Sequence, residues 1–277
     1  MKNQVKILLA VLLTSVILTG CGLTADSGIK NSTTQTTETE TRQWHTVSEG
    51  LSYSSAHAST TEENENKDLL IVSINPAKYS FSIYQNKDKG SAKTIKEIGQ
   101  DTKAIMAFNG GFFTEEFVPT GLLISSGQEL RKISSADLLN GIFAVDKNGK
   151  PKILSSSAPV SASKYPFAIQ NGPLLIDKNG QIQISKDTGK TASRTAIGID
   201  KAGNVIIIVL KQSLLNVDNE ISLYDFAHLL KDSPELATLN LHSVLNLDGG
   251  PSSGLIIGDQ YYPEMEKVQN VILVKAK

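Results

Sequence analysis

VLNLDGGPSSGLIIG, Val244 to Gly258, carries apolar residues into Asp248 and resumes them at Leu255. Two glycines, a proline and two serines stand between. Reversing a chain between two strands takes only two residues, so this loop is larger than a turn requires. A carboxylate at the exit of a buried strand is held rigidly. Glycine lets the backbone adopt positive φ or approach another group closely. The loop therefore reads as a site built on Asp248, with Gly249, Gly250, Ser252 and Ser253 beside it.

Two further strand exits have the same form. AIMAFNGGFF (104–113) sets Asn109 before Gly110 and Gly111, and FAIQNGPLL (167–175) sets Gln170 and Asn171 before Gly172 and Pro173. In TASRTAIGID (191–200), Arg194 heads an apolar strand between Ser193 and Thr195. A guanidinium there offers a planar fork suited to phosphate or carboxylate.

Short Val- and Ile-rich runs dominate the chain from Leu69 onward, and they predict strands at 69–75, 79–85, 104–110, 121–125, 141–146 and 167–172. More follow at 173–177, 181–185, 194–200, 204–210, 243–248, 254–258 and 268–275. Three turns share the pattern Asp-Lys-x-Gly, beginning at Asp146, Asp177 and Asp200. They read as hairpin turns, because they lack the spaced acidic ligands and closing Glu of a calcium loop.

A helix is predicted over 222–232, with Leu223, Phe226, Ala227 and Leu230 on one face and Ser222 as N-cap. A second, over 91–101, buries Ile95 and Ile98 and ends at Gly99, and 135–140 is a single turn. Many strands with few, unevenly placed helices give an α+β fold, a single domain of mainly antiparallel twisted sheet.

The N-terminus reads differently. Lys2 and Lys6 precede the apolar run ILLAVLLTSVIL, and Leu18-Thr19-Gly20-Cys21 is similar to a bacterial lipobox. Residues 1–20 are expected to be a lipoprotein signal peptide and Cys21 the lipidated residue, tethering the protein to a membrane surface outside the cytoplasm. The Thr/Ser/Glu-rich segment 21–45 reads as a disordered linker. The domain is expected to span 46–277, with its core starting near Leu69.

Several classes are excluded. The formal net charge is −1 and no long basic stripe occurs, so nucleic acid is not an expected partner. Cys21 is the only cysteine, which removes disulfides, a thiol nucleophile and a cysteine-based zinc site. The four histidines, His45, His57, His228 and His242, are not at ligand spacing. Ser161 to Lys164 matches S-x-x-K without its companion motifs. No cofactor or metal is expected, although oxygen ligands around Asp248 leave calcium as the one open cation.

NGGFF, PTG (119–121), QNGPLLI, SRTAIGID, LYDFAHLL and LNLDGGPSSG, in this order, resemble the phosphodiester glycosidase family. The family includes the N-acetylglucosamine-1-phosphodiester α-N-acetylglucosaminidase domain and bacterial surface proteins. The resemblance covers roughly Leu69 to Lys275. It implies hydrolysis of a sugar-1-phosphodiester at the anomeric carbon, within a cell-surface glycan. Under it, Asp248, Arg194 and Asn109 are the catalytic candidates, with Arg194 cradling phosphate and Asp248 serving as carboxylate. Gly110, Gly111, Gln170, Asn171, Thr195, Gly249, Gly250, Ser252 and Ser253 are the substrate-binding candidates. Ser252, Ser253 and the Gly249 and Gly250 amides would form an anion nest. Glu115 or Glu116 would be a second carboxylate. Pro251 stands where the family usually has Gly, and removes one amide from such a nest. The alternative reading is a lipoprotein that binds glycan without cutting it.

Overall fold

Val205–Leu210 (β13) consists only of Val, Ile and Leu, all buried. So apolar a run needs cover on both faces. It lies at the centre of a seven-stranded antiparallel sheet in the computed structural model, which describes residues 42–59, 66–210 and 219–277. On one side lie Asn66–Ile74 (β3), Leu51–Ser59 (β2) and His45–Ser48 (β1), and on the other Thr195–Asp200 (β12), Leu241–Asn246 (β14) and Leu174–Ile176 (β11). Alternate residues of β13 serve different cores. Val205, Ile207 and Val209 face the main core, whereas Ile206 and Ile208 lie under the helix Leu223–Asp232 (α2).

A second sheet has the order Gln128–Arg131 (β7), Leu123–Ser125 (β6), Phe167–Asn171 (β10), Gly141–Val145 (β8) and Pro151–Ser155 (β9). The third runs Gln260–Tyr262 (β16), Leu255–Ile257 (β15), Met106–Asn109 (β5), Asn270–Ala276 (β17) and Tyr79–Gln85 (β4). The helix Ile95–Thr102 (α1) covers this sheet through Ile95 and Ile98. All three sheets contribute to one core, in which Phe81, Phe143 and Phe167 have ring centroids 5.7 to 5.9 Å apart. The expected α+β fold with antiparallel sheets is what the chain adopts. No helix among the described residues is long and apolar enough to cross a membrane. The expected signal peptide, Cys21 and most of the linker lie outside the described residues.

Local chemistry explains the elements. Ser222 caps α2 by accepting from the Asp225 amide, and Thr94 and Glu97 form a reciprocal capping box on α1. The three Asp-Lys-x-Gly segments are turns in which Asp146, Asp177 and Asp200 each accept the amide two, two and four residues on.

Three expectations are corrected, and four strands are added. Residues 181–185 form a single bridge, Ile182 to Ile176, because Ile182 and Ile184 spend their apolar character on packing rather than pairing. β1, β7, β9 and β16 were not legible, being short and largely exposed or half-buried. The core of the domain expected over 46–277 begins before Leu69, since β2 pairs with β3 from Leu51↔Ile74 to Ser59↔Asn66 and buries Leu51 and Ala58. Finally, α1 continues past Gly99 to Thr102, where Lys103 adopts the left-handed conformation that ends it.

Candidate active site

β12 and β14 are antiparallel neighbours with Ala196 opposite Asn246, so Arg194 and Asp248 emerge at the same end of the sheet. Both line a pocket of about 310 Å³, together with Phe112, Leu138, Pro173 and Asn246. Asp248 is only 9% exposed.

The Asp248 main chain is bolted between two sheets. Its amide donates to the Gly110 carbonyl at 3.2 Å, and its carbonyl accepts from Asn109 Nδ2 at 2.7 Å. Asn109 Oδ1 in turn accepts from Thr195 Oγ1 at 2.9 Å and from the Gly254 amide at 3.2 Å. Asn109 and Thr195 are fully buried. They hold the carboxylate's backbone, and their polar atoms are occupied within the protein.

Burial pushes the Asp248 carboxyl up to about 6, and the negative charge of Glu266 adds to the rise. The Ser252 hydroxyl and the Gly249 amide, which donates to Oδ1 at 3.0 Å, pull the other way. The outcome is a carboxyl that exchanges a proton near neutrality. Arg194 is partly buried, which lowers its affinity for a proton, while Glu220 opposes that effect. Its Nε and Nη2 donate to the Ile221 and Lys190 carbonyls, both at 2.9 Å. These bonds fix the fork at the pocket wall.

The expected anion nest is not formed. The Gly250 amide donates to the Ser193 carbonyl at 2.7 Å, and the Gly249 amide is taken by Asp248. The Ser252 and Ser253 amides donate to the carbonyls of Gly249 and Gly250. The loop folds on itself, so its amides stabilise the turn. Gly249 is required there because a Cβ would lie 2.9 Å from the Ser193 carbonyl oxygen.

Gly110 and Gly111 likewise serve packing rather than substrate approach. Asn270 accepts from the Gly111 amide at 2.6 Å and donates to its carbonyl at 2.9 Å, and a Cβ on Gly110 would fall 2.0 Å from Asn270 Oδ1. Gln170 is fully engaged by Leu122, Ser134 and Leu139, which pins the segment that carries Leu138 to the pocket. Glu115 and Glu116 are exposed and lie outside the pocket wall.

Three polar groups stand out as unsatisfied. Both amide atoms of Asn171, the Oδ1 of Asn246 and the Oγ of Ser253 are buried with no hydrogen-bond partner among the described residues. Asn171 packs against Gly111. Asn246, not among the residues expected from sequence, lines the pocket and donates to the Gly172 and Leu247 carbonyls, while its buried oxygen has no partner among the described residues. Its place at the end of β14, two residues before Asp248, was the available signal.

Comparison with known proteins bears on this geometry. The family model described as phosphodiester glycosidase matches residues 102–275. An uncharacterised protein of Escherichia coli (strain K12), YigE, is 30% identical over 192 residues, 64% of this chain and 69% of that protein. Among solved structures, a hypothetical protein from Synechocystis has a TM-score of 0.64 at 18% identity, covering 86% of this chain. This chain spans 64% of that one. The zebrafish N-acetylglucosamine-1-phosphodiester α-N-acetylglucosaminidase catalytic domain, auto-inhibited by its pro-peptide, has a TM-score of 0.63 at 18% identity. It covers 84% of this chain and is itself covered to 86%. At these identities the structural likeness establishes the fold, and the family follows from the sequence match. With the Asp248 loop, the Arg194 strand and the Asn109 turn all inside the matched region, this chain belongs to the phosphodiester glycosidase family.

Proposed function

We propose that the protein is a hydrolase that cleaves a sugar-1-phosphodiester in a cell-surface glycan. The observation that carries this reading is a buried carboxyl with an acid constant near 6 sharing one pocket with the fixed guanidinium of Arg194. In this reading Arg194 neutralises the phosphate, which departs as a monoester. Asp248 takes a proton from water as its oxygen attacks the anomeric carbon and the carbon–oxygen bond to phosphate breaks. A phosphate monoester leaves well without strong acid help, so one carboxylate suffices. Asn109, Thr195 and Gly110 act by positioning Asp248.

Asp248→Asn and Arg194→Ala test the proposal beside the wild type, with UDP-N-acetylglucosamine and a panel of sugar-1-phosphodiesters as substrates. Free reducing sugar released by the wild type and lost in both variants supports it. Glycan binding without release from any diester would favour the non-catalytic reading. The proposal places the enzyme outside the cytoplasm, anchored through Cys21. Incorporation of radiolabelled palmitate that is abolished in Cys21→Ser tests that placement.

A further inference from the structure

The three Asp-Lys-x-Gly turns have no part in the Asp248 pocket, yet all three converge with other loops at the far end of β12 and β14. Together they wall a second cleft of about 750 Å³, larger than the Asp248 pocket. Arg194 and Asp200 are at opposite ends of β12, as Asp248 and His242 are of β14. Six residues of extended chain put the two sites about 20 Å apart.

Basic side chains outnumber acidic ones in the wall of this cleft. Lys150, Lys152, Lys178, Lys201 and His242 line it, against one lining carboxylate, Asp200. The turn aspartates keep their charge and offset part of the lysines' charge, while they accept the amides that close the turns. Asp146 accepts from the amides of Asn148 and Lys150, Asp177 from those of Asn179 and Gln181, and Asp200 from both nitrogens of Asn204. Lys152 is paired with Asp146 at 3.7 Å. Among the described residues, Lys150 and Lys201 form no ion pair, whereas the charge of Lys178 acts on the adjacent Asp177. A chain of net charge −1 thus gathers more lysines than carboxylates in one concave place.

We infer that this cleft binds a linear polyanion of the sugar- or polyol-phosphate class. The lysines come from three separate turns and from β9, an arrangement that suits repeated phosphates more than a single ion. Asn148, Asn204 and Ser243 line it as well, and offer hydrogen-bonding groups to a hydroxyl-rich backbone. No Phe, Tyr or Trp is in the wall to stack on a base, which sets the site apart from a single-stranded nucleic acid groove. The inference is independent of what the Asp248 pocket does.

The test is fluorescence anisotropy of a labelled glycerol-phosphate hexamer titrated with the full chain. Charge-matched variants are Lys178→Glu/Lys201→Glu, Lys150→Glu, and the distant control Lys87→Glu/Lys89→Glu. Saturable binding that weakens with added salt is expected, with at least a tenfold loss in the first pair, a smaller loss in Lys150→Glu and less than twofold in the control. Asp248→Asn should bind as the wild type does. The inference is overturned by absence of saturable binding, or by equal loss in the cleft and control variants. Equal or tighter binding of an oligothymidylate or of hexaglutamate with the same charge would overturn it too.

Discussion

Asp248 owes its chemistry to where it is buried. Its carboxyl rises from 3.8 to about 6, so the fold favours the protonated form. The base form is needed for the proposed step, and kcat/KM should therefore climb between about pH 5 and 7 and level off above. Stability follows the opposite course. A group whose folded value is raised contributes fully below its unfolded value near 4 and loses that contribution as pH rises through about 6. The shift corresponds to about 3 kcal/mol as an upper bound. Asp248→Asn should therefore lose activity by at least about a hundredfold yet melt higher than the wild type at pH 8, with the gain vanishing near pH 4. Calorimetry at the two pH values checks this. Asn109 behaves differently. Asn109→Ala removes the partners of the Asp248 carbonyl, the Thr195 hydroxyl and the Gly254 amide. Each buried group left unpaired costs about 1–3 kcal/mol. Urea unfolding should show a loss of about 3 kcal/mol or more, and activity should fall with it.

Among the elements, α1 holds a residue that helix propensity alone would remove. Replacing an interior glycine by alanine ordinarily stabilises a helix by about 1 kcal/mol. A Cβ at Gly99 would lie 3.0 Å from Ile256 Cγ2 on β15, and 3.5 Å from the Ala107 Cβ on β5. Overpacking of that kind costs about 1–3 kcal/mol. Gly99→Ala should therefore be no more stable than the wild type in thermal melts, and a clear gain would show that α1 can lift from the sheet cheaply. The same contact explains why the helix runs through Gly99 instead of ending there. The glycine serves close approach of helix to sheet, and Lys103 supplies the left-handed residue that ends the helix.

The molecule as a whole depends on strands that precede its apolar runs. β2 pairs with β3 along nine positions and brings Leu51 into the main core and Ala58 into the core under α2. A chain starting at Thr39 keeps the whole seven-stranded sheet. One starting at Leu69 loses β1, β2 and the first residues of β3, leaving a long apolar edge open to other chains. The shorter chain should aggregate or lose its cooperative melt, whereas the longer should unfold as the full chain does, read by circular dichroism and light scattering. The same three-sheet arrangement separates the Asp248 pocket from the lysine cleft, because both sit on β12 and β14 but at opposite ends.

Alternating and continuous apolar runs made most strands legible from the order of residues, since a two-residue period reports burial of one face wherever the strand lies. The Ser222 cap and the Asp-Lys-x-Gly turns were legible for the same reason: their bonds close within four residues. The family resemblance rested on motifs local in the chain. Strands such as Gln128–Arg131, exposed throughout, left no such trace. Nor did the division of labour within the site. Asn109 and Asp248 both stand before glycines at strand ends, yet one is consumed holding the other, through bonds that span 86 to 145 residues. Hydrogen-bond partners, loss of water and electrostatic neighbours belong to space rather than to chain order. Residue types and periods therefore marked where chemistry could lie, and the packing of three sheets decided which side chains have it.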